Sequence, residues 1–536
     1  MRKHLIICLL FCLMATSSLY GQHYGGLNKP RLTVFIAVDG LQAEHLALLW
    51  NFFERGGLKR LVGSGFYTPN GYCNYLPAGK AADYASLLTG TVPYYHGIVG
   101  EKIYSITHDD AVSIVADDNY HGIATDSGVS PKNLLATTVA DELKLTSPHS
   151  KVYAIGLRAE ETVMMAGHLA DGAIWLDKNG RLASSDYYKL LPLWASDVNN
   201  TLMDNFLNSK WRPMYALHSY LFAPAEAVGT GTDYAFYTPS PTMSMADRVR
   251  NFRGTPYANT LIKDLAIRAL KAESLGSDAA TDMLCLQFSA QPVGQTTAEF
   301  AMAEKEDLYL NLDRDIRILL AAIDETVGAE NTLFVLSGNQ TERYSHTTLA
   351  DKRINSGQFN ARRAMALLNS YLMAKFGQGR WVSNYYARQI TLNRGLIEKN
   401  RLHQADVEQC VVDFLLEFQG VHTAYTSSQI MAASGLPTDM PVRMRNSFFR
   451  HRSGDVVFTL LPGWVEVNDK GEHIGVAGCT DIYFPVAISG LKIIPNNTEP
   501  TVFISDIAPA ICRIMQIPLP NGCIGRMIEL NSAPEK

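Results

Sequence analysis

The side chains of this sequence best placed for chemistry stand where apolar runs end. Residues 32–38 form a near-continuous apolar stretch that stops at Asp39-Gly40, which sets a carboxylate at the tip of a buried strand. Other runs end at Gly156-Leu157-Arg158, Ser289-Ala290-Gln291 and Gly338-Asn339. In open α/β sheets, sites form in the crevice beyond such tips. The groups on offer are a carboxylate, a guanidinium and amides. Familiar catalytic motifs are missing. There is no G-x-S-x-G elbow and no H-E-x-x-H, and Gly79-Lys80 lacks the flanking residues of a phosphate-cradling loop. The 14 histidines are scattered without a His-x-His pair, and His96 and His168, each beside a glycine, read as structural.

The elements that must position these tips follow from periodicity. Strands are expected over 32–38, 151–155, 282–288, 332–336, 456–461 and 485–489. Helices are expected over 45–54, 133–145, 258–275, 307–327 and 506–515. Their alternation predicts an α/β fold, a sheet with helices on both faces. Two long stretches, about 170–255 and 340–475, interrupt the pattern and are expected to be cap insertions over the strand tips, within one composite domain spanning 22–536. Their aromatics, among them Trp194, Trp211, Tyr215, Tyr220, Trp381 and Tyr385, offer either a partner surface or ordinary cap packing, and packing is the simpler reading.

Composition sets the outer limits. Of 536 residues, 47% are apolar and 18% charged, enough for a large core and unlike a disordered chain. Residues 1–21 have the basic start, short apolar run and small polar exit of a secretory signal peptide, cut near Gly21. Cys12 lies inside that run behind Phe11, which disfavours a lipid anchor. Without Arg2 and Lys3 the chain carries 45 basic and 52 acidic residues, a balance that argues against nucleic acid as a partner. No later stretch reads as a transmembrane segment, so an exported protein is expected, periplasmic or at the cell surface. Six cysteines remain after the leader; Cys512 and Cys523 are nearest in sequence and could bridge. No C-x-x-C spacing suggests a zinc knuckle.

The ordered motifs Val38-Asp39-Gly40, Asn74-Tyr75-Leu76-Pro77, Thr89-Gly90-Thr91-Val92-Pro93 and His96-Gly97-Ile98-Val99-Gly100 resemble the alkaline phosphatase superfamily. The likeness is to secreted bacterial phosphate monoesterases related to type I phosphodiesterases and nucleotide pyrophosphatases. Ala166-Gly167-His168, Arg452-Ser453-Gly454-Asp455, Asp506-Ile507-Ala508-Pro509 and Pro520-Asn521-Gly522-Cys523 extend it nearly to the end. The resemblance implies an alkaline-phosphatase-like sheet and a two-zinc phosphoryl transferase with a Thr or Ser nucleophile at a helix start.

Carried over position by position, the resemblance implies a degenerate site. Lys80 falls on the nucleophile. Of six expected zinc ligands only Asp39 matches; Gln291, Gln295, Gly338, Asn339 and Tyr483 take the other five places. Amides are poor zinc donors and glycine offers no side chain, so the family's two zinc ions are expected to be lost and no cofactor is expected. Glu101 and Glu160 replace phosphate-contacting residues, and Arg158 retains a cation. A carboxylate facing phosphate repels it by about 4 kcal/mol per charge pair at 4 Å in an effective dielectric near 20. The expected pairings are Lys80 with Asp39, and Arg158 with Glu160 or Glu101. The leading expectation is a non-catalytic binding or assembly protein of the cell envelope, with an unidentified envelope protein or ligand as partner. The alternatives are a phosphoric mono- or diester hydrolase with an altered site, or a carbohydrate or lipid-headgroup binder.

Overall fold

A computed structural model describes residues 29–105, 110–223, 234–294, 300–342, 350, 352–469, 471, 480–481, 483–496 and 500–531. The expected signal peptide, Gln295 and Cys479 lie outside them.

β1 (Leu32–Asp39) is buried at all eight positions. Its neighbours in one large sheet are, in chain order, β2 (Phe66–Tyr72), β3 (Gly122–Ile123), β4 (Val152–Gly156), β5 (Gly172–Leu176), β6 (Leu182–Ser185), β7 (Asp282–Ser289) and β8 (Thr332–Ser337). Four strands then form a separate sheet: β9 (Val382–Tyr386), β10 (Gln389–Leu392), β11 (Val421–Thr426) and β12 (Val456–Leu460). β13 (Tyr483–Gly490) and β14 (Val502–Phe503) return to the large one, whose order is β14-β2-β13-β8-β1-β7-β4-β5-β6-β3. β1 runs parallel to both β8 and β7, with Leu32 opposite Thr332 on one side and Asp282 on the other. A parallel strand covered on both faces needs apolar residues at every position, hence the unbroken run.

Side chains alternate across β1. Phe35 and Ala37 join one core, with Ala85 of α1 (Lys80–Thr89), Val163 of α2 (Ala159–Ala166) and residues of the C-terminal helix; Val34, Ile36 and Val38 join the other. That second core includes Leu265 of α3 (Pro256–Ala272) and Leu319 of α4 (Ala301–Thr326). Later in the chain come α5 (Met440–Asn446) and α6 (Ile507–Met515). The α/β sheet with helices on both faces is thus observed.

Several elements differ from their sequence reading. The helix expected over 45–54 spans only Ala43–Leu48. Beyond it, the amides of Glu54 and Leu58 bond to the Asp313 carboxylate of α4 at 2.8 and 2.7 Å, a tertiary partner that replaces helical bonding. The helix expected from 133 begins at Val139, where Thr138 and Asp141 form a capping box. β2 was not read as a strand, since Pro69 and Asn70 obscure its pattern.

The two interruptions differ. The segment 170–255 supplies β5 and β6 to the main sheet, and its Trp211, Phe236 and Tyr237 pack with Phe300 and Leu308 beside and on α4. The segment 340–475 holds the four-stranded sheet and its own core, including Leu368, Trp381, Val411 and Phe458. Trp211, Tyr220 and Trp381 are buried, as ordinary packing requires, whereas Tyr215 is exposed. Cys512 and Cys523 are free thiols. Among the described residues no helix is long and apolar enough to cross a membrane.

Candidate functional site

At the tip of β1, Asp39 is 2% exposed. The chain turns there through Gly40 at φ +74°, where a Cβ would come 2.4 Å from Gln291 Cγ, so a side chain at 40 would dislodge the residue that borders Asp39. α1 starts after Gly79, and its first residue, Lys80, reaches back to Asp39. Lys80 Nζ donates to Asp39 Oδ2 at 2.7 Å and to Gln291 Oε1 at 2.9 Å. The expected Lys80–Asp39 pair is therefore formed. An ammonium opposes the positive end of a helix dipole, and here the Asp39 carboxylate offsets that cost.

Three further donors converge on Asp39. Tyr84 OH donates to Oδ1 at 3.0 Å, Asn339 Nδ2 to Oδ1 at 2.8 Å, and Gln287 Nε2 to Oδ2 at 3.1 Å. Asn339 also accepts from the Gly40 amide at 3.2 Å. A carboxylate has about four lone-pair sites, and all four on Asp39 are taken. Tyr84 and Gln287 were not singled out from the sequence. Both left a signal: Tyr84 lies four residues after Lys80 on the same helix face, and Gln287 is a lone amide inside the apolar run of β7.

One turn into α1, buried Asp83 accepts from Tyr75 OH at 2.6 Å and from Gln340 Nε2 at 3.1 Å. Burial pushes its pKa up to about 7, against the pull of these donors.

The second group gathers at the start of α2. Arg158 is its N-cap residue, with Glu160 and Glu161 in the first turn. Glu160 accepts from Ser113 Oγ at 2.7 Å. The expected ion pair of Arg158 with Glu160 or Glu101 is corrected: neither forms a salt bridge with it, and the acid that weighs most on the guanidinium is Glu161, one residue further into the helix. Burial works against the Arg158 charge, but Glu161 foremost, then Glu101, Glu160 and Asp39, outweigh it and raise its pKa. Glu161 is fully buried, and neither carboxyl oxygen has a hydrogen-bond partner. Burial drives its pKa up to about 8, Arg158 opposing and Glu101, Glu160 and Asp39 assisting. Arg253, lowered to about 10 by burial and by Arg158, closes this cluster. Glu101 borders the start of α1, since a Cβ on Gly79 would lie 3.6 Å from Glu101 Oε1.

Gly338 closes against β13, its amide donating to Pro485 O at 2.9 Å. Tyr483 takes no part at Asp39; it stands 47% exposed with its ring edge-on to Tyr72 at 5.2 Å. Both histidines are structural. His96 accepts from the Ile98 amide on Nδ1 and meets Ser86 Oγ at Nε2, and burial lowers its pKa to about 3. His168 bridges Asp141 and Leu134 O.

Residues 33–481 match the family model described as type I phosphodiesterase / nucleotide pyrophosphatase. The chain belongs to that family. It is 30% identical over 544 residues to a Myroides odoratus protein named calcium-transporting ATPase, covering 98% of each. It is 27% identical to alkaline phosphatase PafA of Elizabethkingia meningoseptica, covering 97% of this chain and 98% of that one. The crystal structure of wild-type PafA superimposes with a TM-score of 0.82 over 94% of this chain and 99% of that one. The alkaline-phosphatase-like fold is thereby established.

For the zinc pair that the resemblance implies, the donor set present does not fit. The Asp39 oxygens are occupied by an ammonium, a phenol and two amides, and Lys80 Nζ, protonated, cannot donate an electron pair to a metal. Among the described residues no three His, Cys, Asp or Glu side chains are grouped to hold a metal ion. The arrangement is a neutralised carboxylate with its acceptor positions filled and, beside it, an acidic group that Arg158 and Arg253 partly compensate.

Proposed function

We propose that this member of the type I phosphodiesterase / nucleotide pyrophosphatase family is a non-catalytic binding or assembly protein of the cell envelope, exported by the leader at its N-terminus. The observation that carries this reading is the Lys80–Asp39 ion pair at 2.7 Å. An ammonium stands where the resemblance puts a hydroxyl nucleophile, and it holds the carboxylate that a metal would need. The phosphate face supports the same reading, because Glu101 and Glu160 repel a phosphate at the positions where the resemblance puts groups that attract one. The sheet is indifferent to these changes, since helix-on-sheet packing does not depend on the site.

The test is to purify the chain without its leader, measure bound zinc by mass spectrometry, and assay a chromogenic phosphate monoester and diester at alkaline pH. No zinc and no turnover are expected. Stoichiometric zinc with turnover would overturn the reading in favour of its rival, a phosphoric ester hydrolase. That rival has its own support in the near full-length similarity to PafA, a named alkaline phosphatase. Fractionation of cells tests export separately, by recovery of the cleaved chain outside the cytoplasm.

A further inference from the structure

Away from Asp39, a cavity of about 260 Å³ lies between the second insertion and the segment that leads into α1. Its walls come from Leu76 before α1, from α5, from β12 and from the turn joining β9 and β10. Most of the lining is apolar, with Leu76, Met444, Phe448 and Val457 contributing. The charged lining residues are all of one kind: Arg388 and Arg443, with His422 at the exposed rim and no Asp or Glu.

The two arginines are not equivalent. Arg388 has a counter-charge outside the cavity in the buried Glu466. Arg443 has none. It is 9% exposed, its guanidinium makes one hydrogen bond among the described residues, from Nη2 to the backbone oxygen of Tyr75 at 3.2 Å, and its buried Nε has no partner. A guanidinium has five N–H donors and stays charged. Buried without an anion beside it, such a charge is costly, and the ordinary remedy is a carboxylate or phosphate. The wall that carries it is otherwise suited to an apolar body.

We propose that this cavity binds a small amphipathic anion, an acyl or aryl chain with one carboxylate or phosphate head, the head meeting Arg443 and the chain lying on Phe448, Met444 and Val457. This site goes beyond the non-catalytic reading above and does not rest on it. The cavity is also tied to the Asp39 region through the backbone. The Leu76 amide bonds to Ser447 Oγ at 2.7 Å, Asn446 Nδ2 to Asn74 O at 2.9 Å, and Lys80 follows four residues after Leu76.

The test uses fluorescence of 11-(dansylamino)undecanoate with the purified full-length mature chain, in competition with decanoate, decyl phosphate and decan-1-ol, each below its aggregation limit. The expected result is saturable 1:1 binding, displaced by decanoate or decyl phosphate at concentrations at least tenfold lower than by decan-1-ol. Which of the two anions displaces better identifies the head group. Arg443→Gln is expected to weaken the probe at least tenfold. Since that variant removes a buried group and can fail to fold, Met440→Trp, at a half-buried lining position, is the second variant and is also expected to weaken binding at least tenfold. Equal displacement by the alcohol, an affinity unchanged in Met440→Trp, or no saturable binding would overturn the proposal.

Discussion

Asp39 and Glu161 are both buried carboxylates under the influence of Arg158, yet they are held in opposite ways. Asp39 receives an ammonium, a phenol and two amides, so each oxygen is doubly bonded to donors. Glu161 receives no hydrogen bond, and its pKa rises to about 8. The difference shows two answers to a buried acid. One surrounds the acid with donors; the other leaves it without them and raises its affinity for a proton. The first makes a rigid, closed group with no vacancy. The second leaves a proton-sensitive acid next to Glu101 and Glu160.

The largest effect expected from breaking this contrast concerns pH. The Glu161 carboxyl titrates near 4.5 when unfolded and near 8 when folded, so the folded state holds the proton more tightly. Its contribution to stability is complete below pH 4.5 and is lost as pH rises through 8, by at most roughly 1.4 kcal/mol per pH unit. Asp83, raised to about 7 from 3.8, adds to the same trend. Urea melts from pH 4.5 to 8.5 should show wild type losing stability faster than Glu161→Gln. Parallel curves would mean that Glu161 is ionised in the fold.

Removing the cation from Asp39 comes next. Lys80→Met leaves a carboxylate of 3% side-chain exposure with its polar bonds but no hydrogen-bonded counter-charge, and is expected to cost about 3 kcal/mol at pH 7. The same variant is expected to give no phosphatase activity. A midpoint in urea equal to wild type would show that the pair is idle. Tyr84→Phe deletes one of the four donors and should cost about 1.5 kcal/mol, the range for a hydrogen bond to a charged acceptor. If it costs as much as Lys80→Met, the ammonium is not the dominant partner. The smallest effect is assigned to Ser113→Ala, which frees the half-buried Glu160 and should cost about 0.5 kcal/mol by the same melts. A loss of several kcal/mol would show Glu160 to be as tightly held as Asp39.

Much of the fold could be read from local pattern. β1, β7 and β8 are continuous apolar runs because each is buried on both faces, and long α4 shows its period clearly. β2 could not be read, because its place is fixed by pairing with β13, more than 400 residues later, and not by its own composition. At the site, Asp39 and Lys80 were legible by position, and their pairing was expected from charge. Tyr84 and Gln287 were passed over because a single polar residue in a buried run does not state which acid it serves. The Arg158 pairing differs from expectation because the helix start brings Glu161, not Glu160 or Glu101, to bear most strongly on the guanidinium, which chain position alone does not state.

The sequence by itself determined the type of each group at the strand tips and at the start of α1: amides, a glycine and an ammonium in places where the family resemblance puts metal ligands and a nucleophile. Composition at a fixed chain position requires no folding to be known. Only the tertiary structure decided how those groups share their bonds. Strands β1, β7 and β8, distant in sequence, end side by side, and that adjacency turns Gln287, Asn339 and Tyr84 into a closed shell round Asp39 while leaving Glu161 unbonded. Hydrogen bonds are short-ranged and directional, so their allocation is fixed by angstrom-scale placement that no local pattern encodes.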